Sequence, residues 1–215
     1  MVPRIFLLSP ARCDGRRAGQ LMNDESRLEL SRRLRGRKGA PLGELFSFMS
    51  GLYFRGKLAY ARAFAAPPDP SLPGVLVITP HRGLLPWDQP TRLATLRAFA
   101  CVPVDPGEPR YTAPLRRAAK ALARRAGAPC EFVLLGSVAT GKYVELLEDA
   151  LDGRLRFPGE FVGRGDMSRG GLMLRCVREG RELTYVRAAD VARRGPRPPK
   201  LIPAAREART FRSPP

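Results

Sequence analysis

An α/β fold built on a mainly parallel sheet of about four strands, with helices on both faces, is what this sequence predicts, on three observations. Short aliphatic runs at 5–8, 75–78 and 131–135 alternate with longer segments whose apolar residues recur at helical spacing. Gly and Pro clusters separate the two kinds of segment, as at Pro67-Pro68-Asp69-Pro70. Strands that alternate with helices pair in parallel, because a helix of a dozen residues carries the chain back to the start of the next strand.

Taken in order, Ile5-Phe6-Leu7-Leu8 reads as a buried strand stopped by Ser9-Pro10, and a charged helix follows over 20–35. Residues 44–49 and 52–65 read as two short helices or one kinked helix, interrupted by Gly51 and Gly56. Val75-Leu76-Val77-Ile78 is the second strand and ends in Thr79-Pro80-His81-Arg82-Gly83. The stretch 87–109 is irregular, with a short helix over 91–96. A clear helix comes next, with Thr112 as its cap, Pro114 in its first turn, Gly127 at its end and Leu115, Ala119 and Leu122 turned inward. Glu131-Phe132-Val133-Leu134-Leu135 is the third strand, followed by a glycine loop and a helix closed by Gly153. A fourth strand spans 155–162, and 172–177 with 182–186 read as a C-terminal β-hairpin turning at Glu179-Gly180. The last segment, 193–215, is Pro-rich and carries seven basic residues against one acid, so a disordered basic tail is expected after a single domain over 1–192.

Composition bounds the function. With 215 residues and 44% hydrophobic content the chain can bury a sizeable core. A net charge of +18 draws it toward polyanions such as nucleic acid, although 33 Arg among 38 basic residues is also what GC-rich codon usage produces. The four cysteines lack metal-ligand spacing and there is one histidine, so no metal site is expected. No apolar run approaches the roughly 18 residues of a membrane span, and no signal segment is legible, so the expected location is cytoplasmic, with no membrane partner.

In open parallel sheets, ligands bind beyond the carboxyl ends of the strands. Four segments should gather there: 9–16, 79–88, 136–142 and 163–171. The strand, glycine loop and helix around Gly136, Ser137, Thr140, Gly141 and Lys142 have the layout of an anion pocket, in which backbone N–H groups and a lysine converge on phosphate. The spacing is G-x4-G-K, but Tyr143 stands where a nucleotide triphosphatase carries Ser or Thr for magnesium. The bland alternative is a tight turn whose lysine faces water. The glycine-rich stretch 163–171 adds Arg164 and Arg169 as anion forks, Ser168 as a neutral donor and Asp166 as a base, on a backbone that either approaches a ligand closely or stays mobile. His81, the only imidazole, follows a strand and is the second proton-carrier candidate, with a plain loop histidine as the competing reading. Tyr53-Phe54-Arg55-Gly56-Lys57 and Tyr60 read as core aromatics whose cations snorkel to water, rather than as a stacking platform. Ser9 follows the first strand, yet neither a G-x-S-x-G elbow nor a histidine partner supports a hydrolase triad, and serine catalysis is not expected.

The segments Ser50-Gly51-Leu52-Tyr53-Phe54-Arg55-Gly56-Lys57-Leu58-Ala59-Tyr60-Ala61 and Val77-Ile78-Thr79-Pro80-His81-Arg82-Gly83-Leu84-Leu85-Pro86 resemble a family of uncharacterised bacterial α/β domains, some associated with guanine transglycosylases acting on tRNA or DNA. More distantly the arrangement resembles the uracil-DNA-glycosylase type of fold. The resemblance covers roughly 45–90 and departs at Thr79, where the family carries serine. It implies a nucleotide-related α/β fold.

The expected function is binding of a nucleotide or nucleic-acid phosphate at the strand ends, with base- or nucleotide-processing chemistry through His81 or Asp166 left open. A soluble enzyme acting on a phosphorylated metabolite and a non-catalytic interaction module are the alternatives. No cofactor is specified by any motif.

Overall fold

The structure, a computed structural model, describes residues 2–137 and 142–191. The chain runs β1 (Arg4–Leu8), α1 (Arg16–Met22), α2 (Glu29–Arg35), β2 (Ala40–Pro41), α3 (Leu42–Ser50) and α4 (Leu52–Phe64), then β3 (Val75–Thr79), β4 (Gly83–Pro86) and β5 (Pro90–Thr91). It continues through α5 (Leu93–Ala100), α6 (Pro109–Ala126), β6 (Glu131–Leu135), α7 (Val144–Ala150), β7 (Leu155–Pro158), α8 (Asp166–Glu179) and β8 (Tyr185–Arg187).

Six strands form a mixed sheet in the order β4-β3-β1-β6-β7-β8, and β2 pairs only with β5. The four central strands β3, β1, β6 and β7 are parallel, with Leu7 opposite both Leu76 and Leu134. β4 and β8 flank them antiparallel. Ile5 to Leu8 and Phe132 to Leu135 are all fully buried, because a parallel strand covered on both faces is apolar without alternation. The chain leaves β1 toward β3 and later returns across β1 to β6, so right-handed connections put α4 and α6 on opposite faces. α4 packs on β1, β3 and α8; α6 packs on β3, β4 and α7.

Two glycines let α4 and α8 approach closely. A Cβ on Gly56 would lie 2.7 Å from the Gly170 carbonyl oxygen, and a Cβ on Gly170 would lie 2.9 Å from that of Leu52. α4 and α8 therefore meet backbone to backbone, which places Lys57 and Arg169, the neighbours of these glycines, at one junction. Gly51, at φ 64° and ψ −132°, breaks α3 from α4 in a conformation closed to other residues, whereas Gly56 interrupts nothing.

Four expectations change. The sheet has six strands, two of them short antiparallel additions. The expected hairpin strand at 172–177 lies inside α8, where Leu172, Met173 and Cys176 make a buried helical stripe. Gly180 there adopts φ 61° and ends the helix, with Gly180 N–H donating to the Val177 carbonyl; a left-handed glycine serves a helix end as well as a hairpin turn. The stretch 163–171 is likewise the entry and first turns of α8 rather than a loop, and the close approach that Gly170 permits is to α4. α6 begins four residues earlier than expected, with Glu108 in place of Thr112 as the cap, its carboxylate accepting from Arg110 N–H, and Pro109 opening the helix, so Pro114 falls in its interior. The expected disordered tail falls on residues outside those described.

β8 is held by a polar cluster. The Tyr60 hydroxyl accepts from Leu183 N–H at 2.8 Å and meets the Tyr185 hydroxyl at 2.6 Å, and Tyr185 donates to Glu182 at 3.1 Å. Tyr60→Phe would leave a buried amide without a partner and should lower stability by about 2 kcal/mol in urea unfolding; a loss below about 0.5 kcal/mol would show that the cluster is not a tie.

Candidate functional site

Among the parallel strands, the connections diverge between β1 and β6, the place where doubly wound sheets open a crevice. Ser9 and Gly136 stand there, one residue beyond each strand. Ser9 N–H donates to the Leu135 carbonyl at 3.1 Å, which prolongs the pairing to the very end. A Cβ on Gly136 would sit 2.9 Å from Ser9 Cβ and 3.2 Å from Ser9 Oγ, so glycine is what lets the two chains part side by side.

Lys57 reaches this point from α4. Its Nζ donates to the Ser9 carbonyl at 2.6 Å and lies 2.9 Å from Ser9 Oγ, with the Tyr53 and Phe54 ring centroids 4.5 and 4.7 Å away. The residue is 1% exposed. Burial pulls its pKa down to about 7, with Asp166 opposing the shift and Arg169 adding to it. Arg169 reaches the same point from α8: its Nε and Nη2 donate to the Phe161 carbonyl at 3.2 and 3.0 Å, and its Nη1 to the Gly136 carbonyl at 3.3 Å. Lys57 and Arg169 thus meet on the carbonyls of Ser9 and Gly136, the residues that follow β1 and β6. The Tyr53 phenol, buried beside Arg169, makes no hydrogen bond of good geometry, and burial pushes its pKa up to about 12. Burial raises the Tyr143 phenol too, with Tyr53 and Asp166 among its neighbours.

A cavity of about 500 Å³ has Pro10, Arg12, Asp14, Pro80, Lys142 and Tyr143 in its wall; Ser9, Lys57, Gly136 and Arg169 do not line it, and Pro10, the residue after Ser9, is the link between the two. Segments after β1, β3 and β6 therefore meet around one space. Arg12 pairs with Asp14 at 3.1 Å, and the Lys142 carbonyl accepts from the Tyr111 hydroxyl at 3.1 Å.

Of the residues singled out in the sequence, Gly136 and Arg169 touch, and Lys142 lines the cavity. Ser137 follows Gly136 at the strand end, while Thr140 and Gly141 lie outside the described residues. Arg164 and Ser168 form a local pair: Arg164 Nε donates to the Glu160 carbonyl at 3.0 Å and its Nη1 to Ser168 Oγ at 3.3 Å. Asp166 opens α8 with 69% of its side chain exposed, 4.0 Å from Arg169. His81 sits apart, at the tip of the turn between β3 and β4, edge-on to Phe99 at 5.1 Å. Its Nδ1 is buried without a partner, and burial with nearby Arg82 lowers its pKa. Among the described residues, no hydrogen bond or ion pair joins His81 to Asp166, Lys57 or Arg169. Nor is any group of three His, Cys, Asp or Glu side chains arranged there to hold a metal ion, and no helix there is long and apolar enough to cross a membrane.

Lys57, expected from the sequence to snorkel to water, is instead buried. The signal was its register: four residues after Tyr53 and three before Tyr60, it lies within the buried stripe of α4. No protein-family model, curated protein or solved structure matches this chain.

Proposed function

We propose that the protein binds a phosphate-bearing ligand of the nucleotide class in the crevice between β1 and β6 and its adjoining cavity. The observation that carries this reading is the convergence of two buried or nearly buried cations, Lys57 and Arg169, on the switch point of the sheet, with Arg12 and Lys142 at the cavity wall. A ligand phosphate would restore to Lys57 the charge that burial weakens. The cavity falls in the usual size range for a small-ligand site. The resemblance of 45–90 to a nucleotide-related family points the same way. Nucleic acid is the larger partner of the same chemistry: α6 carries Arg116, Lys120 and Arg124 on its exposed face and no acid in its 18 residues. If the ligand is processed, Asp166 is the better placed proton carrier, since Lys57, Tyr53 and Tyr143 are its electrostatic neighbours.

Isothermal titration with a nucleoside 5′-monophosphate and its nucleoside tests this. The monophosphate should bind about tenfold or more tightly, by at least ~1.4 kcal/mol, and Arg169→Met and Lys142→Ala should each remove most of that difference. Equal affinities, or no binding, would reject the reading. Tight binding of a sugar phosphate without a base would move the ligand to the phosphorylated metabolites.

A further inference from the structure

Ser9 and Lys57 hold a relation that anion binding does not require. Nζ lies 2.9 Å from Oγ and 2.6 Å from the carbonyl of the same serine. A neutral amine satisfies both contacts at once, accepting from the hydroxyl and donating to the carbonyl. Lys57 is 1% exposed and Ser9 6%, so the pair is held away from bulk solvent while a small part of Ser9 stays open. The hydroxyl stands at the switch point, 3.2 Å from where a side chain on Gly136 would begin, and the next residue, Pro10, is part of the cavity wall.

We propose that Ser9 and Lys57 form a serine–lysine dyad for acyl transfer, Ser9 as nucleophile and Lys57 as its general base. The neutral amine takes the Oγ proton as the Oγ–carbon bond forms at an ester or amide carbonyl, whose π electrons move to oxygen. Collapse breaks the bond to the alcohol or amine leaving group, which receives that proton from the Lys57 ammonium. Water, deprotonated by the same amine, then attacks the seryl ester and releases the acid, returning both side chains to their starting states. Arg169, anchored on the Gly136 carbonyl beside Ser9, is a second positive charge at the same strand end for the developing oxyanion. The groups around Lys57 are Tyr53 on its own helix, Asp166 and Arg169 from α8, and Ser9 beyond β1, with Tyr143 an electrostatic neighbour of Tyr53 and Asp166. Burial near this set holds the amine near neutrality, so part of it is a free base at physiological pH.

The test uses the full chain and a fluorophosphonate, which a nucleophilic serine captures with loss of fluoride. Intact-mass analysis and peptide mapping should find one adduct, on Ser9, with a rate that rises through about pH 7 and levels off. Ser9→Ala should abolish it. Lys57→Arg, which stays charged, should slow it by about 100-fold or more while circular dichroism remains native. Absence of a Ser9 adduct, or an unchanged rate in Lys57→Arg, would overturn the dyad. Should that variant fail to fold, the profile of the unaltered protein decides: a plateau above pH 7 supports the dyad, and a rate proportional to hydroxide throughout rejects it. The probe carries no nucleotide, so this outcome is separate from the titration above.

Discussion

Gly56→Val should cost about 4 kcal/mol or more, enough to unfold a domain of ordinary stability, as read from the urea midpoint. The first atom added would already lie 2.7 Å from the Gly170 carbonyl oxygen and 2.9 Å from its Cα. These are backbone atoms of a helix and cannot rotate aside as a flexible side chain does, so α8 as a whole must retreat. Ordinary overpacking costs about 1–3 kcal/mol where neighbours can adjust; here the approach is reciprocal, since Gly170 is as close to Leu52 and Tyr53. Retreat of α8 also withdraws Arg169 from Gly136, so loss of stability and loss of the site should come together. Gly165→Ala is the control: φ is −78°, nothing lies within 4 Å of the added carbon, and the change should stay within about 0.5 kcal/mol. A Gly56→Val loss below about 1 kcal/mol would mean that the helices do not meet as described.

That crossing explains what the sequence made legible and what it hid. β1, β3 and β6 were plain because strands buried on both faces leave continuous aliphatic runs, and the α/β class follows from their alternation with helices. The meeting of three of the four strand-end segments was also legible, because it depends only on parallel pairing: 10–14, Pro80 and Lys142 share one cavity, which 163–171 does not line. The entry to α8 was not. Glycine marks a loop, a ligand approach or a helix contact with equal force, and only a partner such as Gly56, over a hundred residues away, distinguishes the last. Leu172 to Val177 misread as strand for a related reason: over six residues, buried helix and buried strand share one composition. Lys57 was hidden by its chemistry. A lysine among aromatics usually runs its chain along apolar surface to water, and nothing local shows that Ser9, 48 residues earlier, supplies two oxygens instead.

The same burial makes the stability of the protein depend on pH in a way that isolates Lys57. Unfolded, this amine has its ordinary pKa of 10.5; folded, it is drawn down to about 7. Below pH 7 both states hold the proton and the slope is nil, but the penalty of a buried charge is present in full. Between about 7 and 10 the unfolded chain keeps a proton that the folded chain has released, so stability rises by about 1.4 kcal/mol per pH unit. From pH 6 to pH 9 the native protein should therefore gain about 3 kcal/mol relative to Lys57→Met, which lacks the group. Urea unfolding of both proteins across that interval measures it. Buried Cys13 works in the opposite sense near the top of the range, since burial raises its thiol to about 12, but it is common to both proteins and cancels in the difference. A constant difference between the two would mean that Lys57 is charged throughout, which removes the free base from the dyad while leaving two cations at the switch point. A difference that grows with pH, and that a bound nucleoside monophosphate reduces by returning the proton, would join the titration of one lysine to both the chemistry and the binding inferred for this crevice.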